Sequence, residues 1–338
     1  MSLRARAVVF AAVTAACVAV AVVATARSVD DRRAADAAAP STADKAADLL
    51  ARAGATDGAV LVFRDLDRRD YGRLAVVRVG SGGAVRHATG LACDRVHYAA
   101  GAGLCVQRGG GLLNESTVKL LDARLRVRGE VKVPGTPSRA RVSPDGRLGA
   151  VTTFVTGHSY ATPGAFSTAT TLIDLRAGKK IADLEDLAAF DGPRRVTARD
   201  VNYWGVTFAR DGTTFYATMA TGGETHLMRG DRRSRRMRVI HDNVECPSLS
   251  PDGTRIGYKK LVSSGAGSPK LWRFTVLDLE TMRETRLAEP TPRDDQLEWL
   301  DDGHVLYGNG EETWTVPADG SGAPARYLRA ASSPAVAR

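Results

Sequence analysis

Patterns typical of an active site are scarce in this chain of 338 residues. It has no pair of acidic residues at a catalytic spacing and no glycine-rich phosphate loop, and its six histidines are scattered rather than clustered. Its four cysteines form no Cys-x-x-Cys pair, which disfavours a zinc site. The sequence therefore predicts neither a metal nor a cofactor, and it favours a protein that is not an enzyme.

Aromatic residues interleaved with basic ones, the pattern of RNA-binding motifs, are also missing. The net charge of +9 results from 47 Lys and Arg against 38 Asp and Glu. Such a moderate and diffuse charge favours anionic partners such as phosphate polymers, acidic glycans or lipid headgroups. We expect no nucleic-acid partner.

One long apolar run lies near the N-terminus. Residues 8–26 contain no charge, and as a helix they would reach about 28 Å, enough for a bilayer core. Ala24-Thr25-Ala26 also fits a signal-peptide cleavage site. The run is thus either a transmembrane anchor over 8–26 or a signal peptide cleaved near Ala26. Both interpretations place the rest of the chain outside the cytoplasm, anchored to the cell membrane or secreted.

The remaining sequence divides into a linker, one domain and a tail. Residues 27–47 are rich in Ala and Asp and predict a linker, and a short helix is expected over 46–53. Long helical patterns are almost absent after residue 60, whereas 34 Gly and 14 Pro indicate many turns. We expect an all-β domain over 48–331 and a tail over 332–338.

A tetrapeptide repeat determines the predicted fold. Ser-Pro-Asp-Gly occurs at 143–146 and at 250–253, and weaker copies place Asp211 and Asp302 where these have Asp145 and Asp252. Each copy lies between two short apolar strands, and Asp-Gly favours a hairpin turn with both central residues at positive φ. The four Asp residues are 66, 41 and 50 positions apart, close to the roughly 40–45 residues of a propeller blade with insertions.

A second repeated element follows each turn by about 25–30 residues. The segments 118–123, 171–176 and 275–280 predict third strands, and a polar turn and a fourth strand follow, as near Arg286. The pattern predicts six units near 48–90, 91–138, 139–196, 197–243, 244–294 and 295–331. Asp57-Gly58 is the expected turn of the first unit, and Ala100–Gly103 replaces the Asp-Gly turn in the second. The predicted fold is a six-bladed β-propeller of four-stranded antiparallel blades after one N-terminal hydrophobic helix; a pair of β-sandwiches would not explain the repeat.

The Ser-Pro-Asp-Gly turns and the strands at 256–258 and 276–281 resemble the repeats of TolB-like (WD40-like) propellers. Similar repeats occur in the propeller domains of prolyl oligopeptidases. The resemblance covers residues 48–331 and is clearest in the third to fifth units. It implies a module that acts by protein–protein contact in the cell envelope. A peptidase would also need a catalytic α/β domain, for which no residues remain.

Cys93 and Cys105 flank a predicted hairpin and can lie opposite each other. In an oxidising compartment this predicts a disulfide worth about 2–3 kcal/mol, and two buried reduced thiols are the alternative. Cys246 begins the first strand of the fifth unit and is expected to be a buried, unpaired thiol. Residues 157–161 imitate a Gly-x-Ser-x-Gly nucleophile elbow, but Pro163 and Gly164 follow where a helix should begin, so we interpret them as a loop.

The segment 229–238 carries six arginines, at a predicted hairpin between the third and fourth strands of the fourth unit, on its outer edge. It is either a solvated hairpin or an electrostatic contact with an anionic envelope polymer or with lipid headgroups. The candidate contact residues are Arg232, Arg233, Arg235 and Arg236.

Four residues lie in or just before first strands, which line the channel of a propeller. Asn202, Tyr203, Trp204 and Trp299 are therefore candidate contacts with a ligand or partner. Packing between blades is the alternative use of such aromatic residues.

Two functions follow from these observations. The first is an exported or membrane-tethered, non-enzymatic, monomeric propeller that binds an envelope protein, peptide or other ligand. The alternative is a lyase or hydrolase that acts on a glycan or lactone-like substrate at the central channel. Asp200, His158 and His226 are its candidate residues, and three or more titratable groups in contact at one mouth would favour it.

Overall fold

The computed structural model describes residues 40–53, 58–83, 85–110, 114–157, 166–263 and 270–338, together with Val23. The helix α1 (Pro40–Ala53) precedes the strands and begins inside the segment predicted as a linker. Ala46, Leu49 and Leu50 pack on the apolar core of the first two blades, and the helix begins six residues before the expected 46–53. In the parts of the chain that the structure describes, no helix has the length and apolarity of a membrane span. Apart from Val23, the run 8–26 lies outside these parts, and its role stays a prediction.

In the described residues, 26 strands form six sheets, the blades of one ring. The first three blades contain β1 (Val60–Asp65), β2 (Arg73–Arg78), β3 (His87–Ala92); β4 (Arg95–Ala99), β5 (Ala102–Arg108), β6 (Glu115–Leu121), β7 (Val127–Pro134); and β8 (Thr136–Val142), β9 (Leu148–Thr156), β10 (Ser167–Asp174), β11 (Lys179–Asp183). Blade 4 contains β12 (Ala188–Asp191), β13 (Arg194–Arg195), β14 (Asn202–Phe208), β15 (Thr214–Thr221), β16 (Glu224–Asp231) and β17 (Arg236–Asp242). The last strands are β18 (Glu245–Leu249), β19 (Arg255–Ser263), β20 (Leu271–Asp278), β21 (Glu284–Arg286) in blade 5; β22 (Glu298–Trp299), β23 (His304–Asn309), β24 (Glu312–Pro317), β25 (Ala325–Leu328) in blade 6; and β26 (Ala331–Ala337). The six-bladed all-β prediction is confirmed.

The ring closes through its C-terminal strand. β26 pairs with β1, so that Ala337 lies opposite Val60 and Ala331 lies opposite Asp65. β26 is therefore the innermost strand of blade 1. The predicted tail at 332–338 is therefore wrong, as is the prediction that 48–90 forms a complete blade. Gly58 precedes β1 without joining it to an inner strand, and Asp57 lies outside the described residues. The closing strand reads Ala-Ser-Ser-Pro-Ala-Val-Ala, and its poor β-propensity explains why the sequence did not reveal it.

The four repeated Asp residues lie at equivalent turns between the first and second strands of blades 3 to 6, as predicted. The conformation of the turn differs from the expected one with both central residues at positive φ, because Gly146 has φ +68° whereas Asp145 is not at positive φ. Asp145 Oδ1 instead accepts hydrogen bonds from the Ser143 hydroxyl (2.6 Å) and the Arg147 N–H (3.1 Å). A side chain at position 146 would also meet the Ala100 carbonyl oxygen at 2.8 Å, so glycine lets two neighbouring blades approach.

The apolar faces of the blades are buried against one another. Between blades 3 and 4 the core contains Leu172, Tyr203, Phe208, Phe215 and Met237, all of them buried. Between blades 5 and 6 it contains Phe274, Leu297, Trp299, Tyr307 and Val316. Radial packing thus buries faces that a lone four-stranded sheet would expose.

Cys93 and Cys105 form the predicted disulfide, with their Cα atoms 5.3 Å apart. Cys93 lies in the connection from β3 to β4, and Cys105 lies in β5. The bond therefore fixes the passage from blade 1 to blade 2. Cys246 is a buried free thiol, also as predicted.

Candidate functional site

The innermost strands of the six blades surround a central channel. The positions four residues before the repeated Asp residues are equivalent in blades 3 to 6, and their side chains line the channel together with one residue from blade 2 and one from blade 1. These residues are Arg141, Thr207, Ser248, Glu298, His97 and Val336. Because side chains alternate along a strand, the next residues, such as Val142, Phe208 and Trp299, pack in the cores between blades and also border the turn-face end of the channel.

Arg141 crosses the middle of the channel. It is 8 % exposed and forms an ion pair with Glu298, which lies in the opposite blade of the ring. Its Nη2 donates to Ser248 Oγ (3.2 Å) and to the Leu297 carbonyl oxygen (3.3 Å). Three acceptors from blades 5 and 6, the Glu298 carboxylate, Ser248 Oγ and the Leu297 carbonyl oxygen, thus hold this guanidinium. His97 Nε2 of neighbouring blade 2 lies 3.0 Å from its Nη1.

The protonation of His97 and Glu298 follows from their surroundings. His97 Nδ1 accepts the Val142 N–H (3.0 Å), so the proton of the neutral ring is on Nε2, 3.7 Å from Glu298 Oε2. Burial and the charge of Arg141 lower the pKa of His97, which keeps the ring neutral. Burial raises the pKa of Glu298, but Arg141 more than offsets this and brings it to about 2. Glu298 is therefore ionised at neutral pH.

This cluster separates two cavities, since His97, Arg141 and Glu298 line both. The turn-face cavity, about 310 Å³, opens on the face that carries the Ser-Pro-Asp-Gly turns and is bordered by Pro144, Pro251 and Trp299. The loop-face cavity, about 280 Å³, opens at the beginnings of the inner strands. A ligand can thus enter the channel only as far as the cluster, from either mouth.

The loop-face cavity is the more polar in its chemistry. Arg95, Arg139, Asp294 and Asp295 line it, and it is close to neutral in charge. Gln296 and Ser332 also line this cavity. Gln296 Nε2 and Ser332 Oγ are buried, and neither has a hydrogen-bond partner among the described residues. Buried polar atoms normally have partners, and these two have none within the described chain.

A buried lysine stiffens the wall of this cavity. Lys259 is fully buried, and its Nζ contacts Asp294 and lies 3.6 Å from Glu245 Oε2 and 4.5 Å from the centre of the Trp272 ring. Trp272 Nε1 donates to Glu245 Oε1 (2.9 Å). Burial raises the pKa of Asp294, but the charge of Lys259 outweighs this, and its net pKa is lowered. The carboxylate is thus fixed in its charged form at the cavity.

The structure places the four predicted contact residues in different surroundings. Tyr203 and Trp204 are 4 % and 1 % exposed and pack between blades, Trp204 against Phe166 at 5.6 Å. Asn202 Oδ1 accepts the Thr168 N–H (3.0 Å). Trp299 borders the turn-face cavity, where its Nε1 donates to the Ser248 carbonyl oxygen (2.8 Å). Contact with a ligand stays a prediction for all four.

The basic hairpin joins β16 to β17 on the turn face, but it is not at the edge of blade 4, because β12 and β13 lie outside β17. Arg232 Nε donates to the Gly212 carbonyl oxygen (3.0 Å), and Arg236 stacks over Phe190 at 4.6 Å. Arg233 and Arg235 are exposed. Their contact with an anionic surface stays a prediction.

The candidates for an enzyme do not come together. Asp200 accepts hydrogen bonds from Thr221 Oγ1 and the Gly222 N–H, and His226 pairs with Asp242 (2.7 Å), outside the channel. His158 and most of the imitated elbow lie outside the described residues. Among the residues that the structure describes, no three His, Cys, Asp or Glu side chains are placed to hold a metal ion.

Sequence reasoning missed His97, Arg141, Ser248 and Glu298. A signal existed, since three of them lie four residues before a repeated Asp. The closed ring brings these residues together in the channel, although His97 and Glu298 are 201 positions apart along the chain.

No protein-family model matches the chain, and no curated protein matches it by sequence. Among solved structures, TolB from Acinetobacter baumannii is similar, with a TM-score of 0.51 and 17 % identity over 83 % of this chain and 66 % of the TolB chain. The chain therefore spans just under two thirds of that TolB chain. A chain of the nidogen/laminin complex is similar with a TM-score of 0.53 and 9 % identity, over 83 % of this chain and 99 % of that one. At these identities the likeness shows the fold alone: this chain is a six-bladed β-propeller whose fold is similar to that of TolB.

Proposed function

We propose that this propeller is a binding module that captures a polar segment of a partner protein in the loop-face cavity. The observation that carries the proposal is the pair of buried atoms without partners, Gln296 Nε2 and Ser332 Oγ, at a cavity whose floor is closed. Leaving a buried polar group unpaired costs about 1–3 kcal/mol, and a ligand that pairs both groups recovers this free energy.

The lining favours a ligand with donors and acceptors of both kinds. Arg95 and Arg139 offer guanidinium groups, while Asp294 and Asp295 offer carboxylates. A peptide segment carries N–H and C=O groups at each residue and suits such a mixed lining. The similar chain of the nidogen/laminin structure belongs to a complex of two proteins, and protein binding by propellers is consistent with this role.

The experiment uses peptides selected from a random displayed library on the full-length protein. A selected peptide that carries a photoreactive diazirine is cross-linked to the protein, and the labelled protein residues are located by mass spectrometry. We expect labels within 294–296 and 332–334. Labels confined to the turn-face cavity, or spread over the rim, would contradict the proposal.

An extracytoplasmic location is part of the proposal. The disulfide between Cys93 and Cys105 supports it, because such bonds persist in oxidising compartments. A membrane-impermeant protease added to intact cells should digest the domain. Protection of the domain until the cells are lysed would contradict this location.

A second candidate function is catalysis at the channel, because three titratable or charged groups, His97, Arg141 and Glu298, do meet there. Their state opposes it. Glu298 has a pKa of about 2 and is bound in an ion pair, so it cannot donate a proton near neutral pH. Turnover of a lactone or glycan by the wild-type protein, abolished in Glu298→Gln with the fold retained, would establish the enzyme instead.

A further inference from the structure

Blade 4 differs from the other blades of the described chain in having six strands. The segment after blade 3 adds β12, which runs parallel to β17, and β13, which pairs antiparallel with β12. The prediction that 139–196 forms one unit is therefore wrong for residues 188–195, which extend the sheet of the next blade. This extension brings arginines from distant parts of the sequence side by side.

The register places three arginines and one phenylalanine in one row across four strands. Arg229 in β16 lies opposite Arg238 in β17, Arg238 lies opposite Phe190 in β12, and Phe190 lies opposite Arg195 in β13. Residues opposite each other on neighbouring strands share a face of the sheet. With strands about 4.8 Å apart, the row extends about 14 Å from Arg229 to Arg195. We call Arg229, Arg238, Arg195 and the flanking Arg236 the arginine ladder.

The ladder has little compensating charge. All four arginines are exposed, and none forms an ion pair with another residue of the described ranges. Arg236 lies over the Phe190 ring, which holds its guanidinium on this face. Asp231 lies opposite Arg236, but its Oδ1 accepts the N–H groups of Arg233 and Ser234.

Like charges directly opposite each other on paired strands destabilise a sheet. Arg229 and Arg238 are such a pair, and an anion that bridges them would remove the repulsion. A guanidinium binds a phosphoryl group through two parallel hydrogen bonds, which suits it to phosphate better than a lysine. The linear arrangement fits a chain of closely spaced phosphoryl groups.

A membrane fits this surface less well. Membrane-binding surfaces combine basic residues with exposed apolar side chains that enter the bilayer interface. The large apolar side chains exposed in the described residues are Val23, Tyr71, Val85, Val127, Val262 and Met282, and none belongs to blade 4. α1 also packs on blades 1 and 2, on the opposite side of the ring.

We propose that the arginine ladder binds a linear, phosphate-rich polyanion across the outer strands of blade 4, β16, β17, β12 and β13. The site is separate from the loop-face cavity. Arg229, Arg236 and Arg238 belong to the arginine-rich segment 229–238, but only Arg236 is among the four candidate contacts chosen from the sequence. The ligand lies across the strands, so that successive phosphoryl groups meet Arg229, Arg238 and Arg195.

The test measures binding of long-chain inorganic polyphosphate to the full-length protein by fluorescence anisotropy at several salt concentrations. The variant Arg195→Ser/Arg229→Ser/Arg238→Ser leaves the Arg236 stack intact. Its matched control, Arg68→Ser/Arg128→Ser/Arg176→Ser, removes three exposed arginines from blades 1 to 3 and has the same net charge. Circular dichroism and thermal unfolding check that both fold, and Arg238→Glu replaces the triple variant if that one does not.

We expect the ladder variant to bind polyphosphate at least about 10-fold more weakly than the wild type, and the control to bind within about 2-fold of it. The slope of log affinity against log salt should fall by about 2 in the ladder variant, for three contacts at roughly 0.7 each. Equal losses in both variants would overturn the proposal, since net charge alone would then explain binding. Ladder-dependent binding to phosphatidylglycerol vesicles without binding to polyphosphate would also overturn it.

Discussion

Arg141 in blade 3 and Glu298 in blade 6 form a buried ion pair that joins opposite blades across the central channel. The pair closes the channel at its middle and leaves a cavity at each mouth. It also connects two residues that are 157 positions apart along the chain.

Breaking this pair should destabilise the protein strongly. Glu298→Gln leaves the charge of Arg141 buried without a counter-charge, and Arg141→Met leaves the Glu298 carboxylate in the same state. Each substitution should lower the free energy of unfolding by about 3–5 kcal/mol. The double variant Arg141→Met/Glu298→Leu should lose much less than the sum of the two single losses. Urea unfolding of the four proteins measures this. Additive losses would show that the two residues do not interact.

The same pair predicts a pH dependence of stability. The folded-state pKa of Glu298, about 2, is below the ordinary value of 4.5, so its contribution is complete above about pH 4.5 and is lost as the pH falls towards 2. The difference in unfolding free energy between wild type and Glu298→Gln should therefore shrink over this range. Asp211 and Asp252 titrate there too but remain in both proteins, so the difference isolates Glu298. A difference that is constant from pH 6 to 2.5 would contradict the assignment.

Removal of the disulfide should lower stability by about 2–3 kcal/mol, because Cys93 and Cys105 close a short loop between blades 1 and 2. Unfolding of the wild type with and without reductant, beside a Cys93→Ser/Cys105→Ser variant, measures this. Reductant should destabilise only the wild type. The expectation fails if reductant leaves the wild type unchanged.

Deletion of residues 330–338 should open the ring, since β26 is the inner strand of blade 1. The inner edge of β1 would then be free to pair with another chain. We expect oligomers in size-exclusion chromatography, and a synthetic peptide of 330–338 should restore the monomer where a scrambled peptide does not. A truncated protein that stays monomeric and as stable as the full chain would contradict the closure.

The fold was predictable from the sequence because each repeated Ser-Pro-Asp-Gly-like segment forms a turn that every blade needs. Asp145, Asp211 and Asp252 accept backbone hydrogen bonds within turns that recur once per blade. In blade 6 the neighbouring Asp301 accepts the equivalent bond, so the spacing of these turns gives the blade length. The C-terminal closure was not predictable in this way. β26 lacks the turn signal, because its partner β1 comes from the other end of the described sequence and is not the next strand along the chain.

The channel residues were predictable only in part. Trp299 was chosen for its aromatic side chain, yet the strand alternates and its neighbour Glu298 points into the channel. Gln296 lies just before β22 of blade 6, whereas Ser332 lies in β26, the inner strand of blade 1. The two residues line one cavity because β26 closes the ring. Pairing across the ring is a tertiary fact that local sequence does not contain.

The measurement that tests the proposed binding most directly compares stability and affinity in Gln296→Leu/Ser332→Ala. Both substitutions remove buried polar atoms that have no partner within the described chain, so the free energy of unfolding should stay constant or rise. Affinity for a library-selected peptide should fall by about 10-fold for each hydrogen bond lost, about 1.4 kcal/mol each. Arg210→Ala at the turn-face cavity is the control and should leave affinity unchanged. Unchanged affinity together with reduced stability in the double variant would show that these side chains serve the fold and that the ligand binds elsewhere.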